Sequence, residues 1–428
     1  MLRSKIIRRK LFVSILSRRD LLNIRAVIFG DFLGQGINYA VNIYIAVHFG
    51  ALIFGTISYA IALASYMSVL TSLGIPSILA RDIVQKPEEI SRLVSTSLGL
   101  RLIMAISLNL MLVLTLTQLS LDSLEYYCLI LMSFSASLNI FNLDQSYDAM
   151  GRSSAHAKIK FISQNVLYLV LIVLSSILSN ADNVLYFLFS LLIANIAFAI
   201  ANMHYFSRNL APINFSICMT TAKPLVKDSL IFLMAAGLNV LYLNFAVVFL
   251  RNEHGLIVVS SYSAASRVIL ILLMLDMVIM RVIVPKISQL RSAESNTHMV
   301  TLIKILGIRV VYAAPLVAIL FNYPGEVLDL LYQGEYASSQ SLLQILSIWF
   351  LGGVANHFGT YIYTSGYLRS FLGWICLRIA LFLALLFFLY NSETPEKTVA
   401  MAFATTEWIS GFLAVIASAH FARRSSDL

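Results

Sequence analysis

The sequence predicts an all-α membrane protein of twelve transmembrane helices in two six-helix bundles, and three observations carry this. The chain has 428 residues, 59% of them hydrophobic and only 12% charged, with a mean hydropathy of +0.84, whereas soluble domains carry roughly 25% charged residues. Apolar runs of about 20 residues, long enough to cross a hydrocarbon core, recur along the whole length. Lys and Arg collect between alternate runs, as the positive-inside bias requires.

The runs fall at 26–49, 53–75, 93–117, 124–142, 159–179, 183–205, 225–250, 256–284, 301–321, 340–364, 371–390 and 399–420. The first is unusual in holding Asp31, Gln35, Asn38 and Asn42, spaced four, three and four residues apart. At helical pitch these share one face. Polar groups facing lipid are costly, so that face should turn toward other helices or a watery cavity. Gly30, Gly34 and Gly36 would let a neighbouring backbone come close.

Ahead of this run, residues 1–25 hold Arg3, Lys5, Arg8, Arg9, Lys10, Arg18, Arg19 and Arg25. The apolar stretch Leu11 to Leu16 is too brief for a signal-peptide core, so the segment reads as a cytoplasmic anchor on anionic lipid. With that end inside, the outer loops hold only Arg251 and Lys397 among the basic residues. Nine acids lie there: Asp122, Glu125, Asp182, Glu253, Glu326, Asp329, Glu335, Glu393 and Glu396. Both termini are therefore expected in the cytoplasm. The chain divides into bundles at 26–210 and 224–421, a linker at 211–223 and a tail at 422–428. Gly36-Ile37-Asn38 is echoed by Gly237-Leu238-Asn239, and Ser58-Tyr59-Ala60 by Ser261-Tyr262-Ser263, a pattern in keeping with parallel repeats.

Several chemistries find no residues to perform them. No Gly is followed by Lys, so there is no phosphate-cradling P-loop, and no His and Cys cluster has metal-ligand spacing. Cys128, Cys218 and Cys376 stand far apart and are expected to be helix residues without a chemical role. No cofactor or metal is expected. The basic residues do not gather on one solvated face, which argues against nucleic acid. Short outer loops leave no domain for a glycosyl donor, which argues against a membrane glycosyltransferase or polymerase.

What remains is charge inside the spans. Arg101, Arg267, Arg309 and Arg378 lie roughly 10–15 Å into the bilayer at 1.5 Å per residue. Each costs about 3 kcal/mol on insertion scales. Either each is tied to a carboxylate or to helix-end carbonyls, or together they line a cationic cavity; four on four different spans favour the cavity. Guanidinium groups bind phosphate bidentately and stay charged, so such a cavity suits an anionic cargo, and alanine at any of the four should stall its delivery without loss of protein. The acids within spans are Asp31, Asp276 and Glu407. Asp31 and Glu407 are candidates for coupling transport to a proton or sodium gradient.

Phe49-Gly50-Ala51-Leu52-Ile53-Phe54-Gly55-Thr56-Ile57-Ser58-Tyr59-Ala60, then Leu73-Gly74-Ile75-Pro76 and Arg81, resemble the first helix pair of polysaccharide flippases. Gln145, Ala149, Gly151 and Arg152 resemble the family's inner element after the fourth span, and Tyr262-Ser263-Ala264-Ala265 with Pro285 its eighth helix. The chain thus resembles the Wzx-type O-antigen flippases of the MATE-like MOP exporter superfamily, with Phe49-Gly50 where Leu-Gly is usual. The resemblance implies two six-helix bundles around a cavity in the bacterial inner membrane. It implies as cargo an oligosaccharide on undecaprenyl diphosphate, moved by alternating access from the cytoplasmic to the periplasmic leaflet. The partners implied are this polyprenyl-diphosphate-linked oligosaccharide, the lipid bilayer and other polysaccharide-assembly membrane proteins. The two extra C-terminal helices of the lipid II branch are not expected here, which makes a peptidoglycan precursor the weaker cargo. The four arginines would receive the diphosphate, with Gln35, Asn38 and Asn42 on the cavity's polar face. The alternative within the superfamily, a MATE-type ion-coupled drug or metabolite antiporter, would prefer a net acidic cavity.

Overall fold

The computed structural model describes residues 18–178, 184–289, 295–364 and 368–424. Most of the basic N-terminal segment, the turn at 180–183 and the last four residues of the tail lie outside the described residues.

All regular structure among the described residues is helical. The N-terminal part runs through α1 (Arg18–His48), α2 (Gly50–Ser72), α3 (Ile75–Gln85), α4 (Ile90–Leu116), α5 (Ser123–Ser137), α6 (Asp144–Ala149), α7 (Ser153–Lys160), α8 (Leu167–Leu178) and α9 (Leu185–Asn209). The C-terminal part follows with α10 (Met219–His254), α11 (Leu256–Gln289), α12 (Ser295–Asn322), α13 (Pro324–Tyr332), α14 (Gln340–Gly353), α15 (His357–Thr364), α16 (Leu368–Leu389) and α17 (Pro395–Arg424). Among the described residues, eleven stretches are long and apolar enough to cross a membrane. With α1, which is 31 residues long and holds the first predicted run, they make up the twelve expected spans.

Three departures from simple spans have local causes. The second span breaks at Leu73 and Gly74, where φ is 55° and 67°, and Pro76 restarts the chain as α3, since proline is preorganised for a helix's first turn. The span predicted at 340–364 is interrupted by a 3₁₀ turn, Val354–Asn356, between α14 and α15. The stretch 322–339, expected as a loop, contains α13. Its start is set by Pro324, and it ends where Gln333 turns left-handed at φ 53°.

Burial along α4 shows how one helix is divided between lipid and protein. Ile103, Ile106, Leu110 and Leu114 are all more than half exposed, whereas Leu98, Arg101, Ala105 and Asn109 are buried. Each set recurs every three or four residues and so forms one face. The apolar stripe meets lipid, and the face bearing the charge turns inward.

The chain packs as two compact units. One comprises the described residues up to Asn38 with 67–120 and 130–233. Its core joins α3 to α4, α6 and α9 through Ile75, Ile78, Leu79, Ile83, Leu93, Val94, Tyr147 and Phe206. The other comprises 39–66, 121–129 and the described residues from Met234 onward. Within it Leu302, Ile305, Phe358, Tyr361 and Ala414 form a buried cluster on α12, α15 and α17.

Candidate functional site

The four intramembrane arginines have three different surroundings. Arg309, on α12, is 3% exposed and meets Asp276 of α11 in a bidentate pair, Nε to Oδ1 at 3.0 Å and Nη2 to Oδ2 at 2.6 Å. Its Nη1 donates to the carbonyl of Val354 at 2.5 Å, in the 3₁₀ turn that interrupts the tenth span. The Tyr312 hydroxyl also donates to Asp276. His357 stands 3.4 Å from Arg309 Nη1 and reaches the Leu302 carbonyl at 2.9 Å.

Arg378 of α16 also meets a carboxylate, through one nitrogen, while its Nε is buried without a partner. Its Nη2 donates to Glu407 of α17, and its guanidinium lies 4.2 Å from the Tyr242 ring centroid and 5.6 Å from that of Trp374. The Tyr242 hydroxyl donates to the same Glu407 oxygen at 3.1 Å. A bidentate or stacked guanidinium that already has its carboxylate presents no spare charge to a cargo. For Arg309 and Arg378 alanine is therefore expected to cost folded protein as well, because removing one partner leaves a buried charge uncompensated.

Arg101 is 2% exposed and has no carboxylate in ion-pair range among the described residues. Its Nη2 donates to the Asn139 carbonyl at 3.0 Å, and its Nε is buried without a partner. The acceptor belongs to the 3₁₀ turn Leu138–Phe141 that follows α5, and irregular helix ends leave carbonyls free for such bonds.

Arg267 differs from all three. It sits on α11 at the wall of a cavity of about 240 Å³, with Ser58, Asn244, Ser263 and Ser266 as polar neighbours and Tyr262, Trp349 and Phe403 among the apolar ones. Ser263 and Ser266 lie on its own helix. No carboxylate is within ion-pair distance of it among the described residues; the titratable groups near it are the phenols of Tyr39 and Tyr332. An uncompensated guanidinium on a cavity wall is an anion acceptor in waiting.

The polar face of α1 is half-buried at Gln35, Asn38 and Asn42. Asn38 Nδ2 donates to the Gly34 carbonyl at 2.9 Å, which occupies the amide within its own helix. The side chain of Asp31 lies outside the described residues. Of the α1 glycines, Gly34 faces the closest neighbour: a Cβ there would lie 2.1 Å from Asn165 Nδ2. At Gly36 a Cβ meets nothing within 4 Å.

Sequence reasoning missed Tyr242, Tyr312 and His357, which complete the two ion-pair clusters. A lone aromatic in an apolar span carries no signal by itself. The one available hint was proximity to a charge on the same helix: Tyr312 stands three residues after Arg309.

The fold has relatives of known structure. A MOP superfamily transporter from Pyrococcus furiosus, described as having a binding pocket of reverse polarity, superimposes with a TM-score of 0.68 at 15% identity over 94% of this chain and 96% of that one. An inward-facing multidrug resistance MATE transporter gives 0.66 at 15% identity over 96% of each chain. The Vibrio cholerae MATE transporter VcmN in its bent form gives 0.65 at 16% identity over 97% and 98%. Comparison with curated protein sequences finds no significant match. The polysaccharide biosynthesis protein family matches residues 21–291, well over half of the chain. The protein therefore belongs to the polysaccharide biosynthesis protein family, as a multi-pass membrane protein with the fold of the MATE transporters.

Proposed function

We propose that this flippase carries an O-antigen oligosaccharide on undecaprenyl diphosphate from the cytoplasmic to the periplasmic leaflet of a bacterial inner membrane, by alternating access of its two six-helix halves, 26–210 and 224–421. The observation that carries the reading is Arg267, a guanidinium on the wall of a cavity with no carboxylate in ion-pair range among the described residues. A diphosphate leaving water faces a large desolvation cost, and a fixed cation offsets it where the charge crosses. Arg101, with a buried and unspent Nε, is the second contact, while Arg309 and Arg378 hold helices together. Gln35, Asn38 and Asn42 offer hydrogen bonds along the route. Ion coupling is assigned to Asp31 and to Glu407, the latter through its pair with Arg378. Other polysaccharide-assembly membrane proteins would supply the cargo and remove it.

Arg267→Ala should lower surface polysaccharide display at least about tenfold, the loss of one charge-assisted bond or more, with protein abundance unchanged; Arg267→Lys should fall between. Lipid-linked saccharide should then accumulate in the cytoplasmic leaflet. Display at the parental level in Arg267→Ala removes this reading. The drug-antiporter alternative wants an open carboxylate for an organic cation, but Asp276 and Glu407 are both engaged by arginine.

The linker offers a check on topology and on a pH dependence together. Cys218 immediately precedes α10, and its thiol lies 3.0 Å from the Thr220 hydroxyl. Hydrogen bonds from Thr220 and Thr221 lower its pKa to about 7, against about 8.5 for an ordinary thiol. The thiolate is the reactive form, so alkylation should be slow below this value and rise through it. A membrane-impermeant iodoacetamide should label Cys218 near neutral pH from the cytoplasmic side alone, and Thr220→Val should shift the profile upward. Labelling from the periplasm would reverse the proposed orientation.

A further inference from the structure

We propose that a second cavity, wholly inside the unit that contains α4 and α9, binds a single neutral sugar ring through its hydroxyl groups. The cavity measures about 250 Å³ and is walled by Ser68, Ser135, Asn139, Gln164 and Asn195, just under the size of drug-binding pockets. Phe198 adds an aromatic ring and Lys160 an ammonium group, and no carboxylate lines it. Amides and hydroxyls both donate and accept, as sugar hydroxyls do.

The wall is ordered as a relay. Gln164 donates to Asn195 Oδ1, Asn195 Nδ2 donates to Ser135 Oγ at 2.5 Å, and Asn139 Nδ2 donates to Ser68 Oγ at 3.0 Å. Each hydroxyl that accepts in this chain keeps its own proton to give. At the head of the relay, Gln164 Oε1 is buried with no hydrogen-bond partner. A buried acceptor left without a donor is costly, and an incoming sugar hydroxyl supplies the donor.

The backbone provides a separate argument. Between α7 and α8 the chain widens into a π-helical turn, Phe161–Val166, which contains Gln164 and directly follows Lys160. Such turns are poorer than α-helix, and are found mostly where function needs a side chain re-aimed. Here the widened turn carries Gln164, whose Oε1 is buried without a partner.

The inference rests on the reading above only in taking the cargo to carry a saccharide, and its test separates the two. Saturation-transfer NMR on the purified full chain in lipid nanodiscs, with methyl β-glucoside as the free probe, reads the cavity. Transfer to the ring protons is expected in the parent, with binding about tenfold weaker in Gln164→Leu and in Ser135→Ala. Ser135→Ala removes little volume and keeps the test open if Gln164→Leu does not fold, which thermal unfolding of each sample will show. No transfer in the parent, or equal transfer in parent and the folded cavity variants, overturns the proposal. Inorganic diphosphate titrated into the same samples reads Arg267: if it binds Arg267→Ala as it binds the parent while the sugar results hold, the diphosphate site fails and the sugar site stands.

Discussion

Alanine at Arg309 is expected to remove most of the folded protein, not merely its activity. The variant would leave Asp276, 8% exposed, with Tyr312 as its remaining donor in a site that had given it two guanidinium bonds at 3.0 and 2.6 Å. Breaking a buried pair by deleting one partner typically costs about 3–5 kcal/mol, a large share of the roughly 5–15 kcal/mol that holds a domain together. The Val354 carbonyl and His357 would lose a donor as well, so the interrupted tenth span loses its tie to α12. The double variant Asp276→Leu with Arg309→Met removes both charges and keeps the volume, and should recover most of the lost stability. Membrane abundance and thermal unfolding in detergent measure all three proteins. Parental values for Arg309→Ala would mean that the pair is not structural, and would return Arg309 to the list of cargo contacts.

The contrast between Arg309 and Arg267 also shows what could and could not be read from residues alone. Run length and charge placement were enough to find the spans, because hydrocarbon thickness and the loop bias act on sequence directly. The same logic flagged each intramembrane arginine as costly. It could not say how the cost is met, because that depends on which carboxylate a neighbouring helix brings opposite. Arg267 and Asp276 are nine residues apart on α11 and half a turn out of phase, which correctly kept them from pairing along their own helix. That Asp276 meets Arg309, 33 residues further on, is a fact of packing. The π-helical turn at 161–166 is hidden for a similar reason, since an inserted residue in an apolar run leaves the composition unchanged.

Gly74→Ala is expected to be strongly destabilising. Gly74 has φ 67°, where any other L-residue costs roughly 1–2 kcal/mol. An added Cβ would lie 2.5 Å from the backbone N of Leu233 and 2.6 Å from the carbonyl O of Ser229. Both are main-chain atoms of α10, so no rotamer change relieves the contact, and overpacking of this kind adds about 1–3 kcal/mol. The glycine also sets the angle at which Pro76 starts α3, and through it the placement of Ile75, Ile78, Leu79 and Ile83 in the core. A combined loss of about 3 kcal/mol should appear as lower abundance and a lower unfolding midpoint. Gly36→Ala is the matched control: it sits inside α1, a Cβ there meets nothing within 4 Å, and alanine favours a helix interior over glycine by up to about 1 kcal/mol. If Gly74→Ala unfolds no earlier than Gly36→Ala, α3 is not held against α10 in the way described. The break at Leu73 and Gly74 would then be a pause in the second span rather than a fixed corner of the fold.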